Sequence, residues 1–85
     1  SPQIAKSVLD MFAQLNAPRF DYQLTPREKD VLEQLVQGKS KKRIAKDLIL
    51  SPHTVDTHLR SIYAKLHVNT QTAAVAKALS EKLVQ

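Results

Sequence analysis

Residues 40–66 read SKKRIAKDLILSPHTVDTHLRSIYAKL, and this stretch decides the fold. It holds two sets of apolar residues at helical spacing, separated by the three residues 49–51. A serine precedes each set, and proline follows Ser51 at the position where a helix begins. The inward-facing residues are Ile44, Ala45 and Leu48 in the first helix, and Val55, Leu59, Ile62 and Leu66 in the second. The stretch therefore predicts a helix-turn-helix whose second helix ends near Leu66.

The turn between these two helices places demands on individual residues. Ala45 suits a close crossing of the helices, where only a small side chain fits, and Val55 suits the interlocking core position. Ile49 stands where many such turns have glycine. Glycine is common there because the position requires a positive φ, which a β-branched residue adopts only at a cost. We therefore expect either a different turn geometry or tolerated strain at Ile49.

Two further helices flank this pair. Thr25-Pro26-Arg27-Glu28 combines a capping hydroxyl, a proline at the first helical position and a glutamate at the third, which together form a capping box. Gly38, the only glycine, stands where a left-handed residue would end this helix. Thr70 caps a last helix, predicted to run from about Gln71 to Val84. The apolar face of the helix after Thr25 is formed by Val31, Leu32, Leu35 and Val36.

The N-terminal part of the chain predicts one more helix and a connector. A helical apolar pattern over residues 1–16 ends before Pro18, and the residues that follow have no periodicity. In this connector Phe20, Tyr22 and Leu24 are expected to dock on the domain that follows. We therefore predict an all-α chain, with a linker helix and connector over 1–22 and a four-helix domain over 23–85.

The composition excludes several classes of protein. At 85 residues the chain has room for one domain, and 42% apolar residues with a single glycine suit a compact helical fold. Because cysteine is absent, neither a disulfide nor a Cys-ligated metal is available. No apolar run is long enough to span a bilayer and no secretory signal pattern is visible, so we expect a cytoplasmic protein.

The net charge of +5 is concentrated in one segment. Residues 39–65 contain seven Lys or Arg against two Asp, whereas the other 58 residues contain six basic and six acidic side chains. No glutamate occurs between residues 34 and 80, so the Glu–Lys pairs of an ordinary surface helix are missing there. A localised basic segment favours a polyanionic partner, with nucleic acid as the first candidate.

The outward face of the second helix of the pair has the side chains that a DNA-reading helix needs. Opposite its apolar stripe lie His53, Thr57, Arg60 and Ala64, flanked by Asp56 and Ser61. Arginine can bind guanine through two hydrogen bonds and a threonine methyl can contact thymine, so we predict that this helix enters the major groove. We predict phosphate contacts at one edge of this helix and at the N-terminus of the helix before it, formed by Thr54, His58, Lys65, Lys41, Lys42 and Arg43.

The last helix differs from the others in its apolar surface. Alanine, valine and leucine cover most of its circumference, a wider surface than one small core is expected to bury. Its small side chains also allow another helix to approach closely. We therefore predict a homodimer face formed by Ala74, Val75, Ala78 and Leu79, with simple core packing as the alternative.

No set of residues predicts catalysis. His53, Asp56 and His58 are the candidates for acid–base or metal chemistry, but His58 points away from the other two. We therefore expect no enzymatic activity, no metal, no cofactor and no small-molecule ligand.

Several of these elements occur together in one known family. Residues 24–32, 38–40, 42–45, 50–55, 58–59 and 62–66 resemble, in this order, the LuxR/FixJ-type helix-turn-helix domain. Val68 and residues 73–75 extend the resemblance, which covers residues 23–80. It implies a four-helix DNA-binding domain of bacterial transcription regulators, often the output half of a two-component response regulator. Residues 1–16 resemble the end of a linker from a receiver domain, so the chain is expected to be a fragment.

The resemblance also implies roles for individual residues. It implies base-edge contacts at Asp56, Thr57 and Arg60, to which the outward face adds His53. It implies phosphate contacts near Lys42, Ser51, Thr54, His58 and Lys65. Asp56 departs from the basic residue often found at its position, and residues 69–72 lack an arginine that would contact phosphate. The partners implied are double-stranded DNA, a second copy of the chain on inverted half-sites, and RNA polymerase as a candidate.

Two other interpretations stay open on the sequence alone. Sigma-factor region 4 has a similar helix-turn-helix and would bind promoter DNA, although residues 58–66 and the alanine-rich last helix do not suit it. A protein-only interaction module would use the last helix and the apolar stripe of residues 1–16 as docking surfaces. It would leave the basic segment 39–65 without a purpose.

Overall fold

The computed structural model describes residues 21–84, which form four helices and contain no strand. Helix α1 spans Pro26–Val36, α2 spans Lys41–Leu48, α3 spans Pro52–Leu66 and α4 spans Gln71–Ser80. The all-α prediction and the helix-turn-helix formed by α2 and α3 are confirmed. The helix predicted over residues 1–16 lies outside the described residues.

Each of the four helices begins at a hydroxyl cap, as the sequence predicts. In α1 the Thr25 hydroxyl accepts a hydrogen bond from the Glu28 amide, and the Glu28 carboxylate accepts one from the Thr25 amide at 2.9 Å. This reciprocal pair is the predicted capping box. The hydroxyl groups of Ser40, Ser51 and Thr70 accept in the same way from the amides of Arg43, Thr54 and Ala73. Each cap stabilises its helix by about 1 kcal/mol.

Helix α3 lies at the centre of the domain. It packs against α1, α2 and α4, whereas α2 and α4 do not pack against each other. The buried apolar residues are Val31, Leu32, Leu35, Ile44, Ala45, Val55, Leu59, Ile62, Leu66, Ala74 and Ala78. The predicted inward-facing residues of α2 and α3 are therefore buried, except Leu48, which is half-buried. Because the apolar stripe of α3 lies in the core, the opposite face of this helix is directed outward.

The turn between α2 and α3 is a left-handed helix end. Ile49 has φ 57° and ψ 51°, and the Leu50 amide donates to the Ala45 carbonyl at 2.8 Å. Arg27 supports the same turn from α1, because its Nη2 donates to the Leu48 carbonyl at 2.7 Å. Of the two expectations for Ile49, tolerated strain is therefore the correct one. Gly38 ends α1 with φ 86°, which confirms its predicted left-handed role.

The last helix is shorter than predicted. Helix α4 ends at Ser80, Lys82 has a left-handed φ of 54°, and the Leu83 amide donates to the Ala78 carbonyl at 2.9 Å. This reversal returns Leu83 and Val84 to the core, where both are half-buried. The predicted end at Val84 was wrong because apolar residues can pack on the core after a helix has ended.

The connector residues Tyr22 and Leu24 pack against the core, as predicted. The Tyr22 hydroxyl donates to the Glu81 carboxylate at 2.6 Å, and the Lys77 ammonium lies 5.1 Å from the centre of the tyrosine ring. These contacts attach the connector to the end of α4. Phe20, the third predicted docking residue, lies outside the described residues.

Candidate nucleic-acid interface

The outward face of α3 is exposed. His53, Thr57, Arg60 and Ala64 are all exposed, and the Arg60 side chain is 82% accessible. These residues recur every three or four positions, so they form one stripe along the helix. The DNA major groove is wide enough to admit an α-helix, and the exposed face of α3 carries a guanidinium that could reach base edges there.

An ion cluster joins the start of α2 to this face of α3. Lys41 Nζ lies 2.9 Å from Asp56 Oδ1, and Arg60 Nη2 lies 3.1 Å from Asp56 Oδ2. The hydrogen bond from Lys41 contributes most to lowering the pKa of Asp56 below its ordinary value, and the charges of Arg60 and His53 add to the effect. The predicted base contacts on α3 and the predicted phosphate contacts on α2 therefore lie on one continuous surface.

A second part of this surface lies on α2. Ser40, Lys42, Arg43 and Lys46 line a shallow depression of about 300 Å³. Within residues 21–84, Lys42 and Lys46 are the two basic side chains of the segment 39–65 that form no ion pair. Their ammonium groups are therefore not neutralised by a carboxylate of the described residues.

Lys46 was not among the predicted phosphate contacts. Its position four residues after Lys42 places the two side chains on the same side of α2, which is a signal available in the sequence. The sequence does not show which carboxylates the other cations of the segment 39–65 pair with. Asp47 binds both Lys39, at 3.0 Å, and Arg43, at 3.2 Å, so the charges of these two are partly balanced within the domain.

Lys65 is half-buried and pairs with a carboxylate of α1. Its Nζ lies 2.6 Å from Glu28 Oε1 and donates to the Gln23 carbonyl at 3.0 Å. Glu28 is only 4% exposed, and burial raises its pKa, but hydrogen bonds from Lys65, Ser61 and the Thr25 amide together lower it to about 2. Lys65 is thus the counter-ion of a buried carboxylate, and the phosphate contact predicted for it stays a prediction.

The predicted phosphate contacts Ser51, Thr54 and His58 lie in the first half of α3 or directly before it. The exposed Ser51 caps the helix, and its hydroxyl lies 2.8 Å from the Thr54 hydroxyl. Thr54 and His58 are half-buried and lie four residues apart along one edge. The positive end of the α3 dipole lies at this N-terminus, where it favours an anion beside Ser51 and Thr54.

The predicted dimer face is partly buried in the domain itself. Ala74 and Ala78 are fully buried in the core, where α4 packs on α1 and α3. Their assignment as dimer contacts was wrong, because small side chains let α4 approach the helices of its own domain. Val75 is half-buried and Leu79 is 58% exposed, so these two are the predicted contacts that a partner can still reach.

The described residues contain neither a cluster of three metal-ligating side chains nor a helix suited to span a membrane. Within residues 21–84, no group of three His, Cys, Asp or Glu side chains is placed to hold a metal ion. A second depression of about 510 Å³ lies between α1 and residues 82–84, and it is lined by Pro26, Lys29, Asp30, Glu33, Lys82, Leu83 and Val84. None of the helices within 21–84 has the length and apolar character to cross a bilayer.

Comparison with known proteins identifies the family of this chain. The sequence profile of the bacterial regulatory proteins of the luxR family matches residues 22–78, which include α1 to α3 and most of α4. The chain belongs to the luxR family. The sigma-factor interpretation is thereby set aside, and the four-helix arrangement is that of a LuxR-type helix-turn-helix domain of transcription regulators.

This LuxR-type domain is similar to parts of longer regulators. The transcriptional regulatory protein YhcZ of Bacillus subtilis is 48% identical over 62 residues, which are 73% of this chain and 29% of YhcZ. The nitrate/nitrite response regulator NarP of Escherichia coli is 44% identical over 62 residues, which are 73% of this chain and 29% of NarP. The crystal structure of ChrA, a response regulator of a heme-sensing two-component system, has a TM-score of 0.70 at 36% identity. That match covers 99% of this chain and 39% of the ChrA chain, so the present chain spans well under half of each relative.

Proposed function

We propose that this LuxR-type domain binds duplex DNA in a sequence-specific manner as the output part of a longer bacterial regulator. The observation that carries the proposal is the ion cluster of Lys41, Asp56 and Arg60, which brings the exposed face of α3 beside the cationic start of α2. NarP and ChrA are response regulators, and on this ground we infer that the longer protein is a response regulator of a two-component system.

In the proposed complex α3 lies in the major groove. Arg60 donates to guanine, the Thr57 methyl contacts thymine, and His53 and Asp56 face the neighbouring base edges. Phosphate groups are bound along the edge of α3 and on α2 by Lys41, Lys42, Arg43, Lys46, Ser51, Thr54 and His58. Sequence-independent affinity therefore comes from α2 and the edge of α3, and base reading comes from the outward face of α3.

Two copies of the domain bind together on inverted half-sites. The exposed Leu79 and the half-buried Val75 lie on α4, which packs on α1 and α3 but not on the cationic helix α2. Contact between two such faces would place two α3 helices in successive major grooves, about 34–36 Å apart.

The proposal requires no enzymatic activity, cofactor, metal or small-molecule ligand in this domain. The cytoplasm is the compartment in which a bacterial regulator meets DNA, and RNA polymerase is the candidate protein partner there. A protein-only interaction module is less well supported, because the burial of Ala74 and Ala78 reduces the apolar docking surface on α4.

The test is selection of binding sites from a random pool of duplexes, followed by fluorescence anisotropy titration of the enriched duplex across salt. We expect an inverted repeat to be enriched and log K to fall with log salt by about 0.9 per phosphate neutralised. Failure to enrich any sequence, or affinity that does not change with salt, would contradict the proposed function. The same titration decides against a protein-only module if binding is observed.

A further inference from the structure

Asp56 is the one acidic residue of α3, and it lies inside the cationic surface. Its side chain is 32% exposed, whereas those of Lys41 and Arg60 are 54% and 82% exposed. A carboxylate at this place repels the DNA backbone and offsets part of the attraction that the lysines provide. The benefit of this residue must therefore come from its effect on the two cations that it binds.

The two oxygens of Asp56 hold cations from different helices. Oδ1 accepts a hydrogen bond from Lys41 of α2 at 2.9 Å, and Oδ2 lies 3.1 Å from Nη2 of Arg60, one turn further along α3. A guanidinium has five N–H donors and an ammonium has three. Contact with Asp56 through Nη2 therefore leaves Arg60 with donors for a base edge, and Lys41 with donors for a phosphate.

An exposed arginine without such a contact samples many rotamers, and ordering it on binding has an entropic cost. The contact with Asp56 restricts the Arg60 guanidinium to the outward side of α3 before DNA is bound. A guanidinium with a set direction favours the base edge that matches its donor geometry over one that does not. The same carboxylate competes with phosphate for Lys41 and Arg60, which lowers the affinity for DNA of any sequence.

We propose that Asp56 is a positioning residue that acts through Arg60, and that it sets the base preference of this arginine while reducing binding to random duplex. This inference rests on the proposed DNA-binding function and deepens it, since it assigns part of the specificity to a side chain that need not touch a base. Direct acceptance of a hydrogen bond from cytosine N4 by Asp56 is the competing role.

The experiment uses the whole 85-residue chain and three variants: Asp56→Asn, Arg60→Ala and the double variant. The probes are the duplex enriched by the wild type, its single-base-pair variants, and a scrambled duplex of the same composition. Anisotropy titrations cover about 50 to 200 mM salt. The matched control is Asp30→Asn on α1. It removes a carboxylate that lies 3.4 Å from Arg27 and makes the same change in net charge outside the proposed DNA-binding surface. Thermal unfolding establishes that each variant is folded.

We expect Asp56→Asn to tighten binding to the scrambled duplex roughly two- to tenfold at the lowest salt, with a steeper salt dependence. The ratio of affinities for the enriched and scrambled duplexes should fall, and discrimination should weaken at the base pair that Arg60→Ala also affects. In the Arg60→Ala background, the further change Asp56→Asn should leave all base preferences unchanged. Asp30→Asn should keep the wild-type ratio.

Loss of preference at a base pair that Arg60→Ala does not affect would overturn the inference in favour of direct reading by Asp56. Equal effects of Asp56→Asn and Asp30→Asn would overturn it in favour of a general charge effect. In both cases the wild type still binds its enriched duplex and the proposed function stands. If the wild type itself binds no duplex with salt dependence, the proposed function and the inference fail together.

Discussion

The Lys65 ammonium lies 2.6 Å from the Glu28 carboxylate and joins the last turn of α3 to the first turn of α1. The two residues are 37 positions apart in the chain, and Glu28 is buried. Removing one partner of a buried pair leaves an uncompensated charge, which costs about 3–5 kcal/mol. The basic segment 39–65 therefore contributes the counter-ion of a buried carboxylate as well as the proposed surface for DNA.

Acid should destabilise the domain through Glu28. Its pKa is lowered from 4.5 to about 2 in the folded protein, so the stability it contributes is fully present above about pH 5 and is lost as the pH falls toward 2. The loss amounts to about 3 kcal/mol at most. Urea unfolding between pH 7 and 2 should show this dependence in the wild type, and Glu28→Gln should remove it. The control Glu33→Gln changes a residue of the same helix that forms no ion pair in the described residues, and it should keep the pH dependence. Identical pH profiles for Glu28→Gln and the wild type would show that Glu28 is not the group responsible.

Lys46 should bind phosphate together with Lys42. Both line the depression on α2, and neither forms an ion pair within residues 21–84. We expect Lys46→Ala to weaken binding to the enriched and the scrambled duplex by the same factor. The slope of log K against log salt concentration should become shallower by about 1. The control Lys29→Ala, an exposed lysine on α1, should change neither quantity. A loss restricted to one sequence would assign Lys46 to base reading.

Arg60 should read one base pair. Its exposed guanidinium lies on the outward face of α3, where a bidentate contact with guanine is possible. We expect Arg60→Ala to cost about 1–3 kcal/mol on the enriched duplex and to relax the preference at a single position. Titration against all single-base-pair variants measures this. A uniform loss across all sequences would show that Arg60 binds phosphate.

Replacement of Ile49 should stabilise the domain. Its φ of 57° is strained for a β-branched residue, and its side chain is 90% exposed, so little packing is lost when it is changed. We expect Ile49→Asn to add about 0.5–1 kcal/mol, seen as a rise of roughly 2–8 °C in Tm. Ile49→Val keeps the β-branch and should stay within a few tenths of a kcal/mol of the wild type. A lower Tm for Ile49→Asn would mean that the exposed side chain makes a stabilising contact.

Leu79 should belong to the dimer contact. Because it is 58% exposed on α4, Leu79→Glu is expected to leave the monomer folded and to abolish binding to paired half-sites, with binding to a single half-site unchanged. Val75→Glu is a less specific probe, since Val75 also packs against the core. The control Gln71→Glu introduces the same charge at another exposed position of α4. Sedimentation of Leu79→Glu as the wild-type dimer on paired sites would exclude this face.

Local signals in the sequence were sufficient for most of the fold. Hydroxyl caps and helical spacing predicted α1, α2 and α3, because both depend on residues within a few positions of one another. The end of α4 was not predictable in this way, because Leu83 and Val84 satisfy the helical pattern and yet pack on the core after the chain reverses at Lys82. The outward face of α3 was also predictable, since the period of the helix alone determines which side is opposite its apolar stripe.

The sequence by itself determined the position of the basic segment and the reading face of α3, because charge content and helical periodicity are properties of contiguous residues. Only the tertiary structure decided which cations remain for DNA. Lys41 and Asp56 are 15 positions apart, Lys65 and Glu28 are 37 apart, and each pair meets within 3 Å because of the way the helices pack. The same packing buries Ala74 and Ala78. Ion pairing and burial depend on distances between helices, and those distances are set by the shape of the core as a whole.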